Sequence, residues 1–250
     1  RPFSHPELTV QPIFALYSLV VYLVAMLTIL YGVGFVENWI VPKSIDTGQP
    51  GAILGSMAID GLLLVVFAVQ HSLMARPAFK RWWTRIVPSP IERSTYVLAS
   101  SLALILLFAA WRPLPAAVWT IESSPARELL FGLYVAGWAI VVLSTFMINH
   151  YELFGLKQAL ARRPGAKAPA TLTARYLYRF VRHPIMLGFL IAFWATPMMS
   201  QGHLLFAVVM TGYIMAGTTF EERDLIALFG DRYRDYRARV PGLVPWRRPR

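Results

Sequence analysis

Residues 8–36 read LTVQPIFALYSLVVYLVAMLTILYGVGFV, 29 positions without a single Asp, Glu, Lys or Arg. A helix rises about 1.5 Å per residue, so about 20 apolar residues cross the hydrocarbon core of a bilayer. The run is long enough to span and too long for the core of a signal peptide, roughly 7–15 residues. Four more runs follow it. Thr47 to Ala75 carries one charge, Asp60; Ser94 to Trp111 and Leu129 to Tyr151 carry none, leaving aside the titratable His150. His183 to Phe220 is uncharged over 38 residues, nearly twice one span, and is interrupted by Ser200-Gln201-Gly202-His203. These runs predict an all-α polytopic membrane bundle of about five to six helices, the last two forming a tight hairpin of short helices. The composition agrees: 56% hydrophobic and 15% charged in 250 residues, against about 45–50% and 25% in soluble domains. The chain starts at Arg1 rather than Met, so one or more preceding residues are expected to have been removed. Residues 1–250 read as a single domain.

The net charge is +11. On a soluble chain that excess suggests nucleic acid. Here 20 of the 24 basic residues fall in three segments, 76–93, 152–182 and the tail from 221. By the positive-inside rule these face the cytoplasm, which puts both termini inside and the loops 37–50, 112–128 and 200–203 outside. The basic residues are therefore topology signals, and no nucleic-acid partner is expected. Arg162-Arg163-Pro164-Gly165-Ala166-Lys167 reads as a flexible part of its loop. In the tail, Leu225, Phe229, Tyr233 and Tyr236 recur at helical spacing with arginines between them. That pattern predicts a cytoplasmic amphipathic helix at the membrane interface, ended by Val240-Pro241-Gly242. Trp246 and the last three arginines suit the headgroup region. The absence of cysteine excludes disulfides, thiolate metal sites and a cysteine nucleophile, and no ligand spacing suggests a metal.

Polar groups gather at one depth. Gln70-His71-Ser72, Asn149-His150-Tyr151-Glu152, Arg182-His183-Pro184 and Glu221-Glu222 each mark the cytoplasmic end of an apolar run. Ionisable groups at a membrane edge are costly and often functional. Each also has an ordinary reading, since polar residues must begin where a helix leaves the bilayer. Pro184 suits the first turn of a helix, whose free N–H groups attract an anion. Arg182 and His183 add donors there, and Gly188 leaves room for a ligand against the backbone. Glu221 and Glu222 supply the opposite sign, for an ammonium or a ribose diol. Asp60 lies about 16 Å along a helix from His71. It is expected to pair within the bundle, with a proton route as the alternative.

The stretch Tyr178-Arg179-Phe180-Val181-Arg182-His183-Pro184-Ile185-Met186-Leu187-Gly188, followed by Glu221-Glu222-Arg223-Asp224-Leu225, Phe229-Gly230, Tyr233, Tyr236 and Val240-Pro241, resembles the C-terminal half of membrane methyltransferases. These include the isoprenylcysteine carboxyl and phospholipid methyltransferases. Phe67-Ala68-Val69-Gln70-His71-Ser72, Ala75-Arg76-Pro77, Phe79-Lys80-Arg81-Trp82-Trp83, Glu92-Arg93-Ser94-Thr95-Tyr96 and Asn149 to Gln158 extend the resemblance to the methanethiol S-methyltransferases. Membrane proteins of nitrogen-oxide metabolism share parts of the N-terminal half. The resemblance implies S-adenosylmethionine as donor, with S-adenosylhomocysteine as product. It places the cofactor within about 149–245, lined by Tyr178, Arg182, His183, Leu187, Gly188 and Glu222 with Glu221 nearby. It also implies a small thiol substrate and a multi-pass protein of the cell (inner) membrane with its active site on the cytoplasmic side.

The chemistry that follows needs a thiolate. A small alkyl thiol is a weaker acid than the cysteine side chain, whose pKa is about 8.5. His71 and His150 are the candidate bases; Arg76 and Arg93 are candidates for favouring the anion by charge. Either histidine also reads as a helix-end group bonded to a carbonyl, and either arginine as a topology signal. Three alternatives stay open: a larger lipophilic acceptor such as a prenylcysteine carboxylate or phospholipid amine, an NADPH-dependent sterol reductase-like enzyme, and a non-catalytic membrane factor. Oligomeric state is not legible.

Overall fold

A computed structural model describes residues 7–161 and 172–245. The expected flexible segment around Arg162-Arg163 and the terminal Trp246 with its arginines lie outside the described residues. The helices are α1 (Glu7–Val36), α2 (Ile53–Ala75), α3 (Pro77–Trp83), α4 (Glu92–Ala110), α5 (Ser124–Ile148), α6 (His150–Leu153), α7 (Leu156–Ala159), α8 (Pro184–Trp194), α9 (Gln201–Phe229) and α10 (Asp231–Arg239). Two short strands are β1 (Ala117–Thr120) and β2 (Met198–Ser200). Five helices (α1, α2, α4, α5 and α9) are long and apolar enough to cross a membrane. The protein is an all-α polytopic membrane bundle.

The final pair departs from two short helices. α8 has 11 residues, about 16 Å, and falls short of a core about 30 Å thick. α9 has 29, about 43 Å, and continues through Glu221-Glu222 to Phe229. Charge ends a membrane run without ending a helix, because Glu and Arg are good helix formers. The actual break is Gly230, at φ 58°, a conformation glycine adopts freely. The expected tail helix is thereby split, with Leu225 and Phe229 on α9 and Tyr233 and Tyr236 on α10. Its apolar face still forms one cluster, in which Tyr233, Tyr236 and Val240 are buried against Leu225, Ile226 and Phe229. That face packs α10 against the end of α9.

At the end opposite the basic loops, β1 and β2 pair antiparallel, Ala117 opposite Ser200 and Thr120 opposite Met198. Gln201 N–H to Ala116 O (2.9 Å) and Gly202 N–H to Leu114 O (3.0 Å) extend the ladder. The segments 112–128 and 200–203 are therefore stitched together; strands this short carry no alternation that a sequence reading could detect. Ser200 Oγ caps α9 by accepting from His203 N–H at 3.0 Å. Asp60 is fully buried and accepts from Arg112 N–H at 2.8 Å, so it pairs within the bundle.

Lipid tails are as apolar as leucine, so helices in a bilayer associate through close packing of small residues. α5 and α8 meet in this way. A Cβ on Gly188 would lie 2.6 Å from Gly137 O, and one on Gly137 would lie 2.7 Å from Gly188 O. The space expected for a ligand at Gly188 belongs to Gly137, and this crossing is the physical reason for glycine there. Outward, Leu16, Leu23, Leu27 and Leu30 of α1 and Leu54 and Leu62 of α2 are exposed, as a lipid-facing surface requires.

Candidate active site

Arg182 stands just before α8 and is 8% exposed. Its Nε donates to Glu222 Oε1 at 2.8 Å, and Nη2 reaches the same oxygen. Nη1 donates to Arg237 O at 3.1 Å and to Val240 O. The backbone follows the side chain: Arg182 N–H bonds Pro241 O at 2.9 Å and His183 N–H bonds Gly242 O at 3.1 Å. Tyr236 Oη donates to Tyr178 O at 2.5 Å. One arginine thus clamps α9, the end of α10 and the entry to α8. Four of the five side-chain N–H groups expected to face a ligand are instead engaged within the protein. A buried charge must be satisfied locally, and sequence spacing cannot show by what.

Glu222 is the centre of this cluster. Besides Arg182 it meets His183 Nε2 at 3.2 Å and Arg237 Nε at 3.1 Å. Glu221 takes His183 Nδ1 at 3.3 Å and leaves its side chain 49% exposed. A carboxylate open on one side can take an ammonium or a diol. Tyr233 is 1% exposed, and its hydroxyl has no hydrogen-bond partner among the described residues. Burial pushes that hydroxyl up to about 12, so it stays a neutral donor at working pH. Burial likewise raises Tyr178. An accessible carboxylate beside an unsatisfied buried hydroxyl fits a polar, positively charged ligand. Arg237 and Tyr233 were not singled out as site residues from the sequence; only Gly230, which turns α10 back, hints that they approach Glu222.

His183 meets a carboxylate at both ring nitrogens, which only the imidazolium can do as a double donor. Burial lowers its pKa, but Glu221 and Glu222 outweigh burial and the net shift is upward. The stabilisation from the charged ring is therefore complete below the ordinary histidine value, about 6.5, and fades as pH rises through the higher folded value. His183→Gln should flatten the decline of thermal stability above roughly pH 6.5, checked by melting in detergent across that range. A decline as steep as that of wild type would contradict the pairing.

The second cluster surrounds His71, one turn from the end of α2. Its Nδ1 is 3.2 Å from Ser100 Oγ, and Tyr96 Oη stands 3.1 Å from Nδ1 and 3.0 Å from Nε2. Phe67 stacks on the ring with centroids 5.4 Å apart, and Tyr213 meets it edge-on at 6.5 Å. Arg93 joins through Tyr96: its guanidinium lies 4.9 Å over that ring while Nε holds Leu153 O at 2.9 Å. Arg76 instead pairs with Asp224 at 3.3 Å and covers Phe220.

His150 belongs elsewhere. Tyr22 Oη and Thr145 Oγ1 take its two nitrogens at 2.9 and 2.8 Å, and Phe146 stacks on it at 4.2 Å. It is 6% exposed, and burial lowers its pKa. These contacts make it a neutral joint between α1 and α5. Tyr96, Ser100 and Tyr213 were missed from the sequence, because hydroxyls on apolar helices look like ordinary packing.

α9 joins the two clusters. Tyr213 faces His71 and bonds Ser72 Oγ at 3.0 Å; Glu222 lies nine residues on, about 13.5 Å along the axis. The sites read from separate helix ends are thus two stations on one rigid element. Leu187, half-buried, sits in the first turn of α8 beside the Arg182 cluster.

Residues 61–222 match the family described as NnrU protein. Methanethiol S-methyltransferase 1 of Bradyrhizobium diazoefficiens is 53% identical over 97% of this chain and 87% of its own length. The Methanethiol S-methyltransferase of Mycobacterium tuberculosis is 53% identical over 92% of this chain and 95% of its own. That of Pseudomonas sp. strain GM41(2012) is 48% identical over 93% and 90%. No solved structure matches the chain. With the NnrU match spanning well over half its length and this identity covering nearly all of it, the chain belongs to the NnrU family and, within it, to the methanethiol S-methyltransferases.

Proposed function

We propose that the protein transfers the methyl group of S-adenosylmethionine to methanethiol, giving dimethyl sulfide and S-adenosylhomocysteine. The names of the relatives support the reaction. The observation that carries it onto this chain is α9, whose Tyr213 meets a histidine set among aromatic rings and whose Glu221-Glu222 pair, about 13.5 Å farther along the axis, leaves Glu221 half-open near Tyr233 of α10. Glu221 and the Tyr233 hydroxyl would hold the donor's polar groups, with Leu187 against its apolar part. The Arg182–Glu222 clamp keeps that wall rigid. Bound S-adenosylmethionine supplies an already activated methyl group. The protein must align the acceptor, exclude water and remove one proton. His71 is the group placed to take that proton, and Arg93 adds positive charge behind Tyr96. The rings of Phe67, Tyr96 and Tyr213 around His71 would suit a small apolar thiol.

Incubating purified protein with methyl-labelled S-adenosylmethionine and separate thiol, prenylcysteine, phospholipid and sterol acceptors tests this reading. Label is expected in dimethyl sulfide alone. Label in a lipid, or donor-independent reduction of a sterol with NADPH, would replace it.

The same reading places the protein in the cell (inner) membrane with these clusters on the cytoplasmic side. The charge distribution supports that orientation. A cysteine introduced as Ser89→Cys should be shielded from an impermeant thiol reagent in intact cells, and Ser123→Cys should react. No native cysteine contributes background. The opposite labelling pattern would invert the orientation.

A further inference from the structure

From the end of α2 into the start of α4 the chain carries five basic residues, Arg76, Lys80, Arg81, Arg85 and Arg93, against one acid, Glu92. Three of the five are taken up within the protein. Arg76 pairs with Asp224 at 3.3 Å, Lys80 pairs with Glu92 at 2.8 Å, and Arg93 Nε donates to Leu153 O at 2.9 Å. Arg81 and Arg85 are exposed and meet no carboxylate among the described residues. They stand one turn apart on one face of α3 and of the turn that continues it, where Arg85 N–H bonds Trp82 O at 3.1 Å and Val87 N–H bonds Trp83 O at 2.9 Å. The opposite face is Phe79, Trp82, Trp83 and Ile86, at the spacing of an apolar helical stripe. Its three rings lean on one another with centroids 5.3 to 5.8 Å apart. The stripe is left open: no residue of α3 is buried, Trp82 is 49% exposed and Ile86 64%.

The chain fixes where this face lies. α2 is a membrane span that ends at Ala75. Arg76 is extended, at φ -71° and ψ 138°, and α3 starts at Pro77. One residue advances the chain by no more than about 3.6 Å, so α3 begins at the boundary between lipid and water. The chain re-enters the bilayer with α4 from Glu92. A helix held at that boundary, with aromatic rings on one face and free cations on the other, meets apolar tails and charged headgroups at once. We infer that α3 is a lipid-docking helix selective for anionic phospholipid. Phe79, Trp82, Trp83 and Ile86 enter the zone between headgroups and acyl chains, the depth that suits an indole with its apolar body and polar N–H. Arg81 and Arg85 reach the net-negative headgroups along their apolar stems. Each basic residue beside an anionic surface strengthens attachment about fivefold. This docking is independent of the methyl-transfer reading.

The native chain has no cysteine, so a nitroxide can be attached at Ile86→Cys alone in the full-length protein. In nanodiscs of phosphatidylcholine mixed with phosphatidylglycerol, the label should be relaxed by oxygen and shielded from a water-soluble nickel reagent. In phosphatidylcholine alone the ratio of docked to undocked label should fall about 25-fold, two charges at about fivefold each. Salt at about 1 M, which shortens the Debye length to about 3 Å, should erase the difference between the lipids. Arg81→Gln combined with Arg85→Gln should erase it too, at unchanged melting temperature. Arg81→Lys combined with Arg85→Lys should keep it, because charge sets the preference. Equal docking in both lipids, or a preference that survives the double glutamine variant, would overturn the inference. So would a label shielded from both reagents and broadened by the label of a second copy, which would assign this face to self-association.

Discussion

Arg182→Ala is expected to undock the cytoplasmic end of the protein and to cost about 3–5 kcal/mol of stability, the usual result of removing one partner from a buried ion pair. The size follows from what the guanidinium does. It is 8% exposed and satisfies Glu222, whose side chain is 13% exposed, together with two carbonyls at the end of α10. Alanine leaves Glu222 with His183 and the half-exposed Arg237, and leaves Arg237 O and Val240 O without their donor. Lysine should not rescue the loss, since one ammonium cannot copy a planar fork that reaches three groups. Thermal melting in detergent and limited proteolysis of the C-terminal segment would show the effect. Donor affinity should fall by roughly 10- to 150-fold, the range for losing one charge-assisted hydrogen bond. Here the loss comes through displacement of Glu221 and Tyr233, because Arg182 spends four of its five side-chain N–H groups on Glu222, Arg237 O and Val240 O. Glu222→Ala should weaken binding in the same way. Native-like melting of Arg182→Ala, or calorimetric affinity unchanged in both variants, would remove the cluster from the cofactor site.

His71→Ala should lower kcat by about 10²–10⁴-fold, the usual worth of a general base, with donor affinity nearly kept, since the loss falls on the transition state. The wild-type rate should rise with pH until His71 is neutral, because only neutral imidazole accepts a proton. His150→Ala should behave oppositely. Both its nitrogens and one ring face are engaged by Tyr22, Thr145 and Phe146, so its removal should lower melting temperature more than kcat. Kinetics and melting curves of the two variants at several pH values check the pair of outcomes. If His71→Ala keeps near-wild-type kcat at neutral pH, the side-chain base is wrong. Thiolate stabilisation by Arg93 and the sulfonium charge would then stand in its place, and Arg93→Ala would carry the loss.

The local features of the chain were legible without coordinates. Uncharged runs longer than about 20 residues specify bilayer spans because water-free hydrocarbon rejects charge and unpaired backbone alike. The four polar groups at one depth were legible for the same reason. The helix start at Pro184 follows from a residue whose ring suits a first turn. Two histidines at equivalent helix ends looked alike, since local sequence states each one's depth but not its hydrogen-bond partners.

Composition and periodicity thus determined by themselves that the chain is a helical membrane bundle, where its main spans run, and which residues gather at the basic end. Only the tertiary structure decided that Arg182 is consumed by Glu222 and the α10 carbonyls, and that Gly188 serves a crossing with Gly137. It also decided that α9 runs unbroken past its acidic pair to Gly230, and that His71 and His150 belong to separate clusters, the first with Ser100 and Tyr96 and the second with Tyr22 and Thr145. Each of these depends on crossing angles and on partners far apart in sequence, such as Arg182 with Glu222 or Tyr22 with His150. Hydrophobic pattern constrains which face of a helix is buried, while the partner an individual polar atom finds is set by packing geometry over a few ångströms, which no local spacing encodes.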